Sequence, residues 1–283
     1  MDDTGTRLWL PPLPLAGCVR AAMLRDTRGR ALNAEQRENY FPATPLVSLL
    51  WCFGGEGEWL VRPGFSVPPP GFSVKPLMLS GPFTLPTHTR NAGPMHALRL
   101  LFLPDMFQTL TGIDVAALVN LVEPAETLLP PDWFLWAMSL HADIDDDSRL
   151  PRIEAFLRPR CVALAQQRPA ALRYAEWAQA LAVRAATSAS GRSLRQIERR
   201  VKAWAGVPMR ELRAVSRAER AFLAVAASDA SAAVNWADIA ADTDYADQPH
   251  LCRETRRLSG FSPGELRRRM QTEEAFWPYR LWR

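Results

Sequence analysis

The chain has 283 residues, 48% hydrophobic and 23% charged, and its 34 basic and 30 acidic side chains leave a net charge of +4. That balance is enough to bury one large core or two smaller ones, and it excludes disordered and fibrous classes. Cut near residue 170, the charge separates into 15 basic and 17 acidic residues before, net −2, and 19 and 13 after, net +6, so the two parts are expected to meet different partners.

Between about residues 8 and 103, Pro and Gly break the sequence into short apolar runs: Leu46 to Phe53, Glu58 to Val61, Phe72 to Leu79 and Met95 to Leu103. Runs of this length bounded by turn signals predict strands, hence a small sheet or barrel. The string GFSV occurs at Gly64 to Val67 and again at Gly71 to Val74, flanking Pro68-Pro69-Pro70. Three prolines lack backbone donors, so this stretch is expected to be loop. Trp9, Trp51, Trp59 and Phe53 are core residues or the lining of an apolar pocket. His88, His96 and His141 show no H-x-H or H-x-x-x-H pairing that would suggest a metal site.

After Pro104 the spacing becomes helical, with Phe107 and Leu110, then Val115, Leu118, Val119 and Val122, then Trp133, Trp136 and Leu140. Asp143, Asp145, Asp146 and Asp147 read as a solvated loop, since they lack the Gly and terminal Glu of a calcium loop. Leu150 to Arg168 is one more helical pattern, a connector. The expected organisation is a β-rich sensor or effector domain over 1–125, a helical connector over 126–170 and an all-α domain over 171–283.

The last segment contains an internal repeat at an offset of 54. Ile197 meets Leu251, Arg199 meets Arg253, Trp204 meets Leu258, Gly206 meets Gly260 and Leu212 meets Leu266. Matched type and spacing predict two copies of one helical unit, at about 173–206 and 234–260. In the first, Leu194, Ile197, Val201 and Trp204 form a stripe expected to pack inward, while Arg195, Arg199 and Lys202 share another face. Ser193 is the expected N-cap and Gly206 the C-terminal stop, with Pro208 just beyond. Tyr174, Trp177, Ala178 and Leu181 predict a supporting helix before it, which gives the anatomy of a helix-turn-helix. In the second copy Trp236, Ile239 and Ala240 make the supporting helix and Thr243-Asp244-Tyr245 the turn. Asp247 caps the next helix, and Pro249 falls in its first turn, where a missing donor is tolerated. Between the copies, Glu211 to Ala227 is a helical pattern of roughly 26 Å. A linker of that length suits two recognition helices about one DNA turn apart, roughly 34 Å.

With Ile239-Ala240, Tyr245, Asp247-Gln248, His250, Arg253, Arg256-Arg257, Gly260 and Ser262-Pro263, the segment resembles the AraC/XylS family of bacterial transcription regulators. The first unit's Ser193, Arg195, Ile197, Arg199 and Val201 fit that family's pattern as well. The resemblance covers about 110 residues and implies two helix-turn-helix units joined by a long helix. It departs from the family at Asp244 for the turn Gly, Pro249 for a helix Ser and Thr255 for the buried aromatic, and the first unit's Ser-Pro is displaced to Pro208. Asp tolerates a left-handed turn better than most residues, whereas Thr255 is expected to weaken the second unit's core.

Family position implies base-edge contacts from Arg195, Glu198 and Arg199, and from Gln248, Cys252 and Arg253. Lys202, His250, Arg256 and Arg257 complete the implied DNA-binding set, His250 as a packing or phosphate-contact residue. Arg199 and Arg253 suit guanine and Gln248 suits adenine. The run Leu98 to Phe107 also resembles a strand and helix start found in the sensor domains of one subgroup.

The resulting expectation is an α+β, two-domain protein: a β-rich, cupin-like or small-barrel N-terminal domain and the all-α DNA-binding domain. Double-stranded DNA is the expected partner. A small-molecule effector, a homodimer and RNA polymerase remain open as further partners. No catalysis, cofactor, metal or membrane partner is expected. All but two of the cations, Lys75 and Lys202, are Arg, a base-composition signature and not in itself a nucleic-acid signal. Cys18, Cys52, Cys161 and Cys252 form no C-x-x-C pair and are expected to be reduced. The start Met-Asp-Asp is acidic where a signal peptide is basic, and no apolar run nears the roughly 18 residues of a membrane span. A cytoplasmic location is the expectation.

Two alternatives belong to other classes: a cupin-like small-molecule or metal enzyme, and a non-specific architectural DNA-binding protein. The string GFSPG at Gly260 to Gly264 satisfies G-x-S-x-G formally. Pro263 removes the backbone donor that a nucleophile elbow needs after its Ser, which argues against a hydrolase.

Overall fold

The computed structural model describes residues 5–60, 64, 75–143, 145–165, 173–188, 193–227 and 234–281. In its first part the strands are β1 (Thr6–Trp9), β2 (Val19–Asp26), β3 (Glu38–Phe41), β4 (Val47–Gly54), β5 (Gly57–Trp59), β6 (Leu77–Ser80), β7 (Thr87–Asn91), β8 (His96–Phe102) and β9 (Val122–Pro124). Helix α1 (Leu13–Ala16) lies between β1 and β2, and α2 (Pro104–Thr111) follows β8. The strands make a six-stranded sheet in the order β1-β2-β8-β4-β6-β9 and a three-stranded sheet in the order β3-β7-β5. All pairings are antiparallel. The apolar runs at 46–53 and 95–103 are β4 and β8; β5 and β6 fall on the described parts of the other two runs, of which Val61 and 72–74 lie outside the described residues. Apart from Gly64, the duplicated GFSV string lies outside the described residues.

Two-residue alternation gives the large sheet two different faces. Trp51 on β4 opposes Leu98 on β8; its indole donates to the Ala137 carbonyl at 2.8 Å, so this face packs on helices. Those helices are α3 (Pro131–Ser139) and α4 (Asp146–Ala165). Trp133 of α3 meets Phe102 and Phe107 edge-on, and Trp136 stacks on Phe156 of α4 at 4.0 Å. The opposite face of β2, β4 and β8 looks at the small sheet.

The acidic run 143–147 is not simply a solvated loop. Asp143 is bound by Arg152 at 2.7 Å, and Asp146, in the first turn of α4, by His96 and Arg149 at 3.1 and 3.0 Å. Burial raises the Asp146 carboxyl, but the His96 and Arg149 side chains outweigh it and hold its pKa below the ordinary value. The buried Arg149 also lies over Phe53, so these charges tie α4 to the sheet.

The remainder is helical: α5 (Tyr174–Thr187), α6 (Leu194–Ala205), α7 (Met209–Ala227), α8 (Trp236–Asp242), α9 (Gln248–Ser259), α10 (Pro263–Thr272) and the short α11 (Trp277–Arg280). This helical part shares a core with the first. Trp177, Leu181, Val201, Ala205 and Leu212 belong to the same buried cluster as Phe102, Phe107 and Trp133. Farther along, Tyr40 of β3 packs with Phe261, Phe276 and Tyr279. The Ala43 N–H donates to the Leu258 carbonyl at the end of α9, at 2.7 Å.

Candidate nucleic-acid interface

Helices α6 and α9 are each 12 residues long, start 54 positions apart and end on the left-handed glycines Gly206 and Gly260. Ser193 caps α6 by accepting from the Gln196 N–H, and the Gln196 side chain accepts in return from the Ser193 N–H. This reciprocal box satisfies two otherwise orphaned donors. Gly206 is fixed twice over: its φ is +75°, and a Cβ there would lie 3.1 Å from the Val115 carbonyl and 3.0 Å from the Val119 side chain. The first unit's recognition helix is thus stopped and seated against the N-terminal part by one residue.

Asp105 at the start of α2 fixes the supporting helix. Its buried carboxylate accepts from the Trp177 indole at 3.0 Å and from Arg184 at 3.1 Å. Arg184 in turn lies 4.0 Å from the Trp204 ring centroid. In the second unit Asp247 accepts from the His250 N–H at 2.6 Å, and Pro249 sits in the first turn. Asp244 has φ +60°, the left-handed turn that glycine would make without strain. Thr255 is buried beside a cavity of about 90 Å³ bounded by Phe222, Leu251 and Met270, the void expected where an aromatic is missing.

The predicted site residues fall into two groups. Arg195, Glu198, Arg199 and Lys202 are exposed on one open face of α6, which they share with Ser193 and Gln196. Gln248, Arg253 and Arg256 are exposed on α9. No ion pair with a described residue engages Arg195, Arg199, Lys202, Arg253 or Arg256. Glu198, exposed as it is, and the remaining predicted residues have contacts or burial within the domain. Glu198 accepts from the Met209 N–H at 3.4 Å, at the start of α7. His250 is half-buried, its ring edge-on to Tyr245 and its Nδ1 accepting from the Ala246 N–H. Arg257 is paired with Glu211 at 2.8 Å, and Cys252 is half-buried.

The inward stripe of α6 needs one correction. Val201 is fully buried, but Leu194 is 81% exposed. The N-terminal part covers the C-terminal half of α6, so the stripe runs out of partners at its first turn. Sequence reasoning also passed over Arg200, which donates to the Ala185 carbonyl at 2.7 Å and ties α6 to α5. Its place among other cations in the sequence gave no signal of that role.

The Ser262 side chain accepts from the Glu265 N–H and caps α10, so the G-x-S-x-G string makes a helix start. Among the described residues no group of three or more His, Cys, Asp or Glu could hold a metal ion, and no helix is long and apolar enough to cross a membrane. The cysteines are free thiols.

Two capped helix pairs joined by a 19-residue helix, with cations on the second helix of each pair that no described residue neutralises, define a DNA-binding module. Residues 186–269 match the family model of a helix-turn-helix domain, and this C-terminal segment is a helix-turn-helix domain of the AraC type. No curated protein matches the sequence. Among solved structures, ToxT from Vibrio cholerae O395 is similar at 10% identity, covering 83% of this chain and 95% of that one, with a TM-score of 0.38. ToxT of strain SCE256 with a bound unsaturated fatty acid matches at 11%, covering 83% and 91%, with a TM-score of 0.38.

Proposed function

We propose that the protein is a sequence-specific transcription regulator that places α6 and α9 in successive major grooves and answers to a ligand of its β-rich part. The observation that carries this reading is the face of α6 on which Arg195, Arg199 and Lys202 stand exposed without an ion pair to any described residue. Cations that a protein leaves unneutralised on a recognition helix are available for phosphates and base edges. Arg199 and Arg253, equivalent in the two units, are the guanine readers; Gln248 contacts adenine. Arg257 and His250 contribute less, being engaged inside the domain. The working division is 1–125 for sensing, 126–170 for connection and 171–283 for DNA, in a protein of the cytoplasm that acts without catalysis. A homodimer and contact with RNA polymerase fit the same role.

Selection of bound duplexes from a random pool by the full-length protein tests this reading. The expected sites carry two half-sites spaced by about 10 base pairs. Arg199→Ala is expected to randomise a base position in one half and Arg253→Ala in the other. Recovery of unrelated sequences by the wild-type protein would show a non-specific binder instead.

A further inference from the structure

Arg99 stands on β8, opposite Met23 of β2 and Leu50 of β4. All three line the space between the two sheets, where a cavity of about 70 Å³ is walled by Phe41, Leu50, Trp59 and Asn91 and, from the C-terminal segment, Trp277. Arg99 lies deep in the protein yet retains surface, because it faces this cavity. Its guanidinium carbon is 4.4 Å from the centroid of Phe41. Among the described residues no hydrogen bond or ion pair joins Arg99 to a partner, and no carboxylate lines the cavity. The other cation in the wall, Arg25, has Glu274 at 2.7 Å. Burial pulls Arg99 down to about 10, opposed by the Cys52 thiol, so it is charged at neutral pH.

A deep cation without a counter-ion is costly, and arginine is rarely buried unless paired. The fork of its N–H groups matches a carboxylate. A single compensating charge argues for a monoanion. The walls supply apolar surface from Phe41, Leu50 and Trp59 and amides from Asn39 and Asn91, which suits an acid with a short aliphatic chain. Size agrees, since about 70 Å³ is roughly half the volume of an engineered cavity of about 150 Å³ that takes up benzene.

We propose that this cavity binds a short-chain carboxylate through Arg99, and that occupancy is felt by the DNA-binding part through Asn39, whose Oδ1 accepts from the Trp277 indole at 2.8 Å. The transmission rests on the function proposed above; the binding does not.

Calorimetric titration of the full-length protein with acetate, propionate and butyrate, each beside its neutral amide, tests the site. At least one acid is expected to bind, with its amide weaker by roughly tenfold or more. Arg99→Met is expected to lose acid binding by a similar factor and to unfold, without ligand, at no lower temperature than the wild type. Arg99→Lys, which keeps the charge, is expected to retain part of the binding and serves should the Met variant fail to fold. Absence of binding by every acid, equal binding of acid and amide, or unchanged binding to Arg99→Met would overturn the site. For the transmission, with each protein saturated by its acid as judged from its own titration, the acid is expected to change DNA affinity in the wild type and not in Asn39→Ala. An acid that binds while DNA affinity stays constant refutes the transmission and leaves the site standing. Failure to bind any DNA specifically refutes the proposed function instead.

Discussion

An arginine with a carboxylate in reach is held by it, as Arg217 is by Glu254 in a two-pronged pair and Arg257 by Glu211. Among the described residues Arg199 has no such partner, and that difference sets its expected energetics. Arg199→Ala is expected to cost roughly 1–3 kcal/mol at a specific site and little on random DNA. An equal loss on both, measured by titration of the two duplexes, would make Arg199 a phosphate contact. Asp105→Ala leaves the buried Trp177 N–H without its acceptor and is expected to cost about 1–3 kcal/mol in urea unfolding. Asp146 adds a pH dependence. Its folded pKa is depressed, so its contribution is present above the ordinary carboxylate range and is lost as the pH falls through the folded value. Asp146→Asn is expected to be less stable at neutral pH and to lose less stability on acidification, which thermal melts between about pH 6 and 3 would show.

At the scale of elements, caps and turns decide where the recognition helices begin and end. Ser193, Gly206, Asp247 and Gly260 were all legible, because a cap is a local demand on one backbone position and one side chain. Asp244 was legible too, and a β-branched residue there cannot share its tolerance: Asp244→Val is expected to cost about 1–2 kcal/mol in chemical denaturation. The cavity beside Thr255 gives the opposite sign. Filling it with Thr255→Phe is expected to stabilise by at most about 2 kcal/mol at the usual cost per unit of void; a fall in melting temperature would show that the site cannot accept the ring. Strands were less legible than helices. β2 reads VRAAMLRD and β7 reads THTRN, and neither alternates cleanly, because one faces helices and a partly polar cavity and the other lines that cavity. Such strands are specified by neighbours that adjacent sequence does not contain. Leu194 was misplaced for a related reason, since a helical stripe gives direction but not the length of the surface covering it.

Over the whole molecule, the repeat and its charged face were readable from spacing, whereas the attachment of the DNA-binding part was not. Trp177 and Val201 share a core with Phe102 and Trp133, and Trp277 reaches Asn39. These contacts join residues far apart in the chain, which periodicity cannot pair. A shared core has a thermodynamic consequence: unfolding followed by tryptophan fluorescence and by far-ultraviolet circular dichroism is expected to give coincident transitions. Two separated transitions would mean that the helical part unfolds independently.

If the exposed cations of α6 and α9 read sequence, affinity must depend on base order as well as on charge. Fluorescence anisotropy of the full-length protein on a selected duplex and on its shuffled counterpart, across a salt series, tests it most directly. Binding to the selected duplex is expected to be tighter by about a thousandfold at physiological salt, with both affinities falling as salt rises. Equal affinities for the two duplexes that vanish together with salt would contradict it.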